Sequence, residues 1–172
     1  MDLKLAIFRP LLKQAMEKHG HGAALGFELT KVGRGEIEMT FPYKEEVVGN
    51  PITGVIHGGV IVSLLDTACG SAAITTLTSP SITPTMDLRL DYMHPAEPRQ
   101  PIYISAKVYR NSSNVIFCRG SAWQDDPENP IAHCVATFMK VDSPSISFGN
   151  VIRRRLNRLV RGDKAYEREA DK

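Results

Sequence analysis

The residue types that could do chemistry are concentrated between Asn50 and Asp66. His57-Gly58-Gly59 stands before a long apolar periodic run, and a single carboxylate, Asp66, sits inside that run. A helix that opens on Gly58-Gly59 offers unpaired backbone N–H groups and the positive end of its dipole, with no Cβ to block approach. Such a terminus can stabilise a developing oxyanion. A carboxylate held in a partly desolvated place could take a proton from water as a general base.

Placing Gly58 to Thr76 on a helical wheel puts Asp66 in a stripe with Gly59, Val62, Ser63, Cys69, Gly70 and Ala73. The bulky Ile61, Leu64 and Leu65 point the other way, beside Ala68 and Ala72. The expected helix therefore has one greasy face for a sheet and one face of small residues around an acid, where a second backbone or a slender ligand can come close. On the wheel alone, Asp66 could equally face solvent or bond a neighbouring loop, and His57-Gly58-Gly59 could be only a tight turn. Gly58 and Asp66 are roughly 12 Å apart along one helix axis, whereas reacting groups must meet at about 3 Å. Two such helices running antiparallel across a two-fold axis would set Asp66 of one chain against Gly58 of the other.

The elements that must position these residues follow from the hydrophobic pattern. Leu5, Phe8, Leu11, Leu12, Ala15 and Met16 give an opening helical segment interrupted by Pro10 and closed at His19-Gly20, with Gly20 as its stop. Phe27 to Phe41 alternates around Gly33-Arg34-Gly35, which predicts a hairpin with Ile37, Met39 and Phe41 on its buried face. A Gly- and Pro-containing loop, Pro42 to Ile56, leads into the central helix. Four more alternating runs follow: Thr85 to Met93, Ile102 to Arg110, Val115 to Gln124 and Ile131 to Val141. Strands, one long helix and four strands in succession predict an α+β domain, an antiparallel sheet packed on that helix. The division expected is an N-terminal helical segment over 1–21, a domain over 22–142, and a linker with a basic helix over 143–172.

With 172 residues, 42% of them apolar and 23% charged, the chain can bury a core without metal or disulfide staples. Cys69, Cys118 and Cys134 lack metal-ligand spacing and read as reduced, buried thiols, so no metal is expected. No run reaches the roughly 18 to 20 consecutive apolar residues of a membrane span, and Met1-Asp2-Leu3-Lys4 does not open a signal peptide; a cytoplasmic protein is expected. Residues 150–172 hold eight Lys or Arg against four Asp or Glu, while the rest holds 13 against 15. The body is thus no general polyanion binder, and nucleic acid is not an expected partner. Asn150 can cap a terminal helix with Arg153, Arg154, Arg155, Arg158 and Arg161 on one face, open either to docking on its own domain or to an outside surface.

Over roughly Gly22 to Val141 the sequence resembles the hotdog-fold acyl-CoA thioesterases, in the branch of the phenylacetate-pathway and thioesterase superfamily member 2 types. The resemblance rests on His57-Gly58-Gly59, on Leu65-Asp66 following that histidine, on Asn50, and on Thr85-Met86-Asp87-Leu88-Arg89-Leu90-Asp91-Tyr92-Met93 followed by Pro95-Ala96. It implies a sheet wrapped around the central helix, a homodimer or homotetramer, and hydrolysis of acyl-CoA to free acid and coenzyme A with no cofactor. By position, Asp66 is expected as nucleophile or general base and the Gly58 N–H as the donor to the thioester carbonyl. Asn50 and Thr85 would place water or substrate, and His57 would shape the loop. Gly59, Ser63 and, in the hairpin Asn111-Ser112-Ser113-Asn114, Asn114 are expected to contact substrate. The alternative is a non-catalytic acyl-CoA-binding regulator acting through the basic helix; a hotdog dehydratase is a lesser option.

Overall fold

The computed structural model describes residues 3–18, 20–78 and 82–141. Alternation builds the hairpin as its pattern requires: β1 (Glu28–Gly33) and β2 (Glu36–Phe41) pair antiparallel, with Ile37, Met39 and Phe41 fully buried. Gly35 takes the left-handed turn position at φ 73°, which a residue with a Cβ rarely adopts. Its N–H donates to Thr75 Oγ1 at 2.7 Å, tying the hairpin tip to the end of the central helix.

The loop from Pro42 to Ile56 contains a two-strand ladder, β3 (Val48–Asn50) with β4 (Val55–Ile56). The central helix α3 (Gly58–Thr75) follows, then β5 (Thr85–Tyr92), β6 (Ile102–Asn111), β7 (Val115–Trp123) and β8 (Ala132–Met139). The main sheet is antiparallel throughout in the order β1-β2-β6-β7-β8-β5. One face packs on α3, whose Leu64, Leu65, Ala68 and Ala72 are wholly buried with Ile102, Ile104, Ile116 and Phe138 of the strands. Among the described residues α3, the helix expected over Gly58 to Thr76, is long and apolar enough to cross a membrane by length and composition, with a mean hydropathy of 1.4, and half of it is buried. Its apolar face is the floor of the sheet's core.

The N-terminal segment departs from the reading of Gly20 as a stop. α1 (Leu3–Glu17) carries Pro10 within it, and Gly20, at φ 58°, is the first residue of a second short helix, α2 (Gly20–Leu25). α1 covers the β1 edge of the sheet: Glu17 Oε1 accepts the Leu29 N–H at 2.6 Å, and Lys13 Nζ donates to the Leu29 carbonyl at 3.1 Å. The open N–H and C=O of Leu29 on that edge are thereby used, which blunts further strand pairing at that point. Among the described residues the opposite edge, β5, pairs only with β8 and is exposed along most of its length, including Met86 and Tyr92. The linker and basic helix expected over 143–172 lie outside the described residues.

Candidate active site

The start of α3 is fixed by the residue before it. His57 has extended geometry, φ −61° and ψ 131°, and caps the helix by accepting the Gly59 N–H on Nδ1 at 2.9 Å. The neutral ring then carries its proton on Nε2. The His57 carbonyl accepts the Val60 N–H at 2.9 Å, and the His57 N–H donates to Val47 O at 3.0 Å. Gly59 and Val60 thus have partners, and Gly58 is left as the first-turn donor without one among the described residues. His57 and Gly59 act together as the cap that aims this donor.

Asp66 lies two turns further on, half-buried in the middle of α3. Thr85 Oγ1, on the first residue of β5, donates to Asp66 Oδ1 at 2.9 Å. A hydroxyl donating to one carboxylate oxygen leaves the other free to accept a proton and holds the group in one orientation. Behind it, Cys69 and Cys134 stand with Sγ atoms 3.7 Å apart, joining α3 to β8. Donation to Cys134 and burial hold the Cys69 thiol far above its ordinary range, and the Asp66 charge adds to the effect. Burial, then the neighbouring Cys134, pushes Cys118 up to about 12. All three cysteines are free, buried thiols, as their spacing suggested.

The other expected site residues are distributed unevenly. Asn50 is exposed at the end of β3, and its Oδ1 is occupied by its own loop, accepting from the Ile52 N–H at 3.0 Å and the Thr53 N–H at 3.4 Å. Ser63 is half-buried and its hydroxyl bonds back to the Gly59 carbonyl at 3.0 Å, so that proton is committed. Asn114 is exposed in the β6–β7 hairpin, whose Asn111 Nδ2 donates to Thr76 Oγ1 at 3.1 Å, just past the end of α3. That is roughly 27 Å of helix away from Gly58. One chain therefore joins Asp66 to Thr85 and His57 to Gly58, but brings neither Asp66 nor Asn114 to its own Gly58.

The wheel also needs a correction. Cys69 and Ala73, assigned to the face of small residues, are fully buried, whereas Val62, Ser63, Asp66 and Gly70 are half-buried. The sheet encloses more of α3 than a single stripe, and β8 reaches around it: a Cβ at Gly70 would stand 3.3 Å from the Phe138 ring. One contact was not foreseen at all. Tyr92, at the end of β5, donates its hydroxyl to the Gly58 carbonyl at 2.7 Å. Partial burial pushes this phenol above its usual value and keeps it a donor.

A long central helix wrapped by an antiparallel sheet is the hotdog fold, and the double-glycine helix start and the mid-helix carboxylate are its candidate site. Comparison with known proteins agrees. The family model described as Thioesterase superfamily matches residues 53–131. The medium/long-chain acyl-CoA thioesterase YigI of Salmonella typhimurium is 30% identical over 129 residues, covering 67% of this chain and 82% of that protein. A Pseudomonas aeruginosa protein of solved structure is 43% identical with a TM-score of 0.68, over 76% of this chain and 96% of its own. The PaaI protein of the Escherichia coli phenylacetic acid degradation operon shares the fold at 16% identity, TM-score 0.70, over 81% and 97% of the two chains. This chain belongs to the thioesterase superfamily, and its class of chemistry is thioester hydrolysis.

Proposed function

We propose that this protein hydrolyses acyl-CoA to a free acid and coenzyme A in a site built from two copies of the chain. Asp66 takes a proton from water while the water oxygen bonds to the thioester carbon. The Gly58 N–H of the second copy stabilises the oxyanion, and the C–S bond then breaks to release the thiolate. In the variant route the Asp66 carboxylate itself attacks, and water opens the resulting anhydride. The observation that carries the reading is the Thr85 hydroxyl, held 2.9 Å from a half-buried Asp66.

Two features support the second copy. Gly58 and Asp66 of one chain are too far apart to share a carbonyl, roughly 12 Å along the axis. Among the described residues the β5 edge is uncovered, and Met86 on it and Met93 just past its end are 53% and 55% exposed, beside the half-exposed face of α3. An open apolar edge of this kind is normally covered by another chain. The relative's substrates make medium- and long-chain acyl-CoAs the first to offer.

The test is thiol release from a panel of short, medium, long and aromatic acyl-CoAs. Turnover by the wild type with a loss of about 10²-fold or more in Asp66→Asn is expected, as for removal of a general base. No turnover with any thioester, with acyl-CoA still bound, would favour a binding protein and end the catalytic reading.

A further inference from the structure

The first turn of α3 is gripped from outside the helix by a side chain that the mechanism above leaves without a role. Tyr92 is the last residue of β5, 34 positions from the glycine whose carbonyl it bonds at 2.7 Å. Gly58 and Gly59 lack Cβ atoms, so the backbone there has wide conformational freedom. An oxyanion donor is effective only when its direction is fixed before charge develops. The peptide unit between Gly58 and Gly59, which shares the Gly58 Cα with the unit that carries the donor N–H, is restrained by two side chains. His57 Nδ1 accepts its N–H at 2.9 Å, and Tyr92 Oη donates to its carbonyl oxygen at 2.7 Å. The peptide is held at both ends of its dipole, and each bond polarises it for the other.

The fit is close on both sides. A Cβ on Gly59 would stand 2.9 Å from His57 Nδ1, and one on Gly58 would stand 3.0 Å from the Tyr92 hydroxyl. A carbonyl has two acceptor lone pairs, so the phenol can bind Gly58 without displacing the helical hydrogen bond. β5 therefore reaches both halves of the expected chemistry: Thr85 at its start orients Asp66, and Tyr92 at its end holds Gly58.

We propose that Tyr92 is a positioning residue for the thioesterase reaction, its hydroxyl fixing the double-glycine start of α3 so that the Gly58 N–H is aimed at the thioester oxygen. The inference rests on the reading of Gly58 as oxyanion donor.

The experiment compares full-length wild type, Tyr92→Phe and Asp66→Asn with the best acyl-CoA of the panel, together with amide hydrogen exchange on the labelled proteins. Tyr92 is 51% exposed, so removal of one oxygen leaves the fold intact. In Tyr92→Phe, kcat is expected to fall about tenfold, the scale of one hydrogen bond, with KM within about twofold. The Gly59 amide, held by His57 Nδ1, should exchange faster, while those around Ala68 and Ala72 do not change. A merely structural tyrosine would lower thermal stability and speed exchange along the whole helix instead. Wild-type kcat in Tyr92→Phe, alongside an inactive Asp66→Asn, overturns the role of Tyr92 and leaves the Asp66 mechanism standing. A lower kcat without faster exchange at Gly59 overturns it too, as does a rise in KM alone. Absence of turnover in the wild type removes both readings.

Discussion

Thr85 and Asp66 meet across the join of the edge strand and the central helix, hydroxyl to carboxylate at 2.9 Å. A hydrogen bond to a charged group contributes about 1.5 to 3 kcal/mol. In the proposed mechanism its value is orientation of a base, so its loss should appear in kcat. Thr85→Val is expected to lower kcat about tenfold or more with little change in KM, whereas Thr85→Ser, which keeps the hydroxyl, should stay within about threefold. Because Thr85 is exposed, thermal unfolding should coincide for all three proteins. Equal kcat in Val and Ser variants would mean that the hydroxyl does not serve Asp66.

Removal of the Gly58 N–H can be tested without disturbing the backbone. Proline suits the first position of a helix, and the residue before it must be extended, which His57 already is at φ −61° and ψ 131°. Gly58→Pro should fold, with the Tyr92 hydroxyl giving way by a few tenths of an ångström, and lose about 10² to 10³ in kcat, as for deletion of one oxyanion donor. Mixing it with Asp66→Asn, after unfolding and refolding together, distinguishes a shared site from a private one. Half of the dimers formed by random pairing are mixed, and each mixed dimer carries one intact site, so about a quarter of wild-type activity should return. If the mixture stays as inactive as its components, each chain acts alone and the two-copy site is wrong.

What the sequence disclosed followed the range over which its signals act. The alternation of Ile37, Met39 and Phe41 and the apolar run of α3 are local patterns, and both appear where the period places them. Resemblance named Thr85 as a residue that would place water or substrate; its bond to Asp66 is a finding of the folded arrangement, since no spacing predicts that strand and helix would meet there. Cys69 and Ala73 were misassigned because a wheel has no knowledge of how far a sheet curls around it. Asn50 was legible as a residue type, but its turn with Ile52 and Thr53 competes for the same oxygen, a local preference of Asn in loops. Tyr92 and Gly58 touch across 34 residues, so only the folded arrangement reveals them.

Gly120 of β7 lies over the thiol cluster behind Asp66, and its missing Cβ is a packing requirement. A methyl there would stand 3.0 Å from Cys134 Sγ, 3.0 Å from Leu65 Cδ2 and 3.2 Å from Cys69 Sγ, all buried atoms. All three are side-chain ends packed in the core, so each would have to give by a few tenths of an ångström against its buried neighbours. Gly120→Ala is expected to destabilise the protein by about 1 to 3 kcal/mol, the usual cost of overpacking, with an unchanged denaturant m-value. The double change with Cys134→Ala should recover part of that loss, because it vacates the sulfur position. A neutral Gly120→Ala would show that α3 is not held as tightly against β7 as these distances require.

His94 joins the loop after β5 to the loop before β8: Nδ1 lies 2.9 Å from Pro95 O and Nε2 3.2 Å from Asn129 O. Two carbonyl acceptors require two N–H donors, and only the imidazolium has both. The bonds to Pro95 and Asn129 accordingly raise the His94 value above 6.5, with the nearby Glu97 charge in the same direction and desolvation opposing them. A folded value raised above the unfolded one gives stability that is complete below the unfolded value near 6.5 and is lost as pH rises through the folded value. His94→Gln, which can satisfy only one of the two carbonyls through its amide, should therefore melt below the wild type at pH 5.5. The two melting temperatures should converge at alkaline pH, once the pH has passed the raised folded value and the wild-type ring is neutral. A difference between them that stays constant from acid to alkaline pH would mean that His94 holds the two loops as a neutral ring.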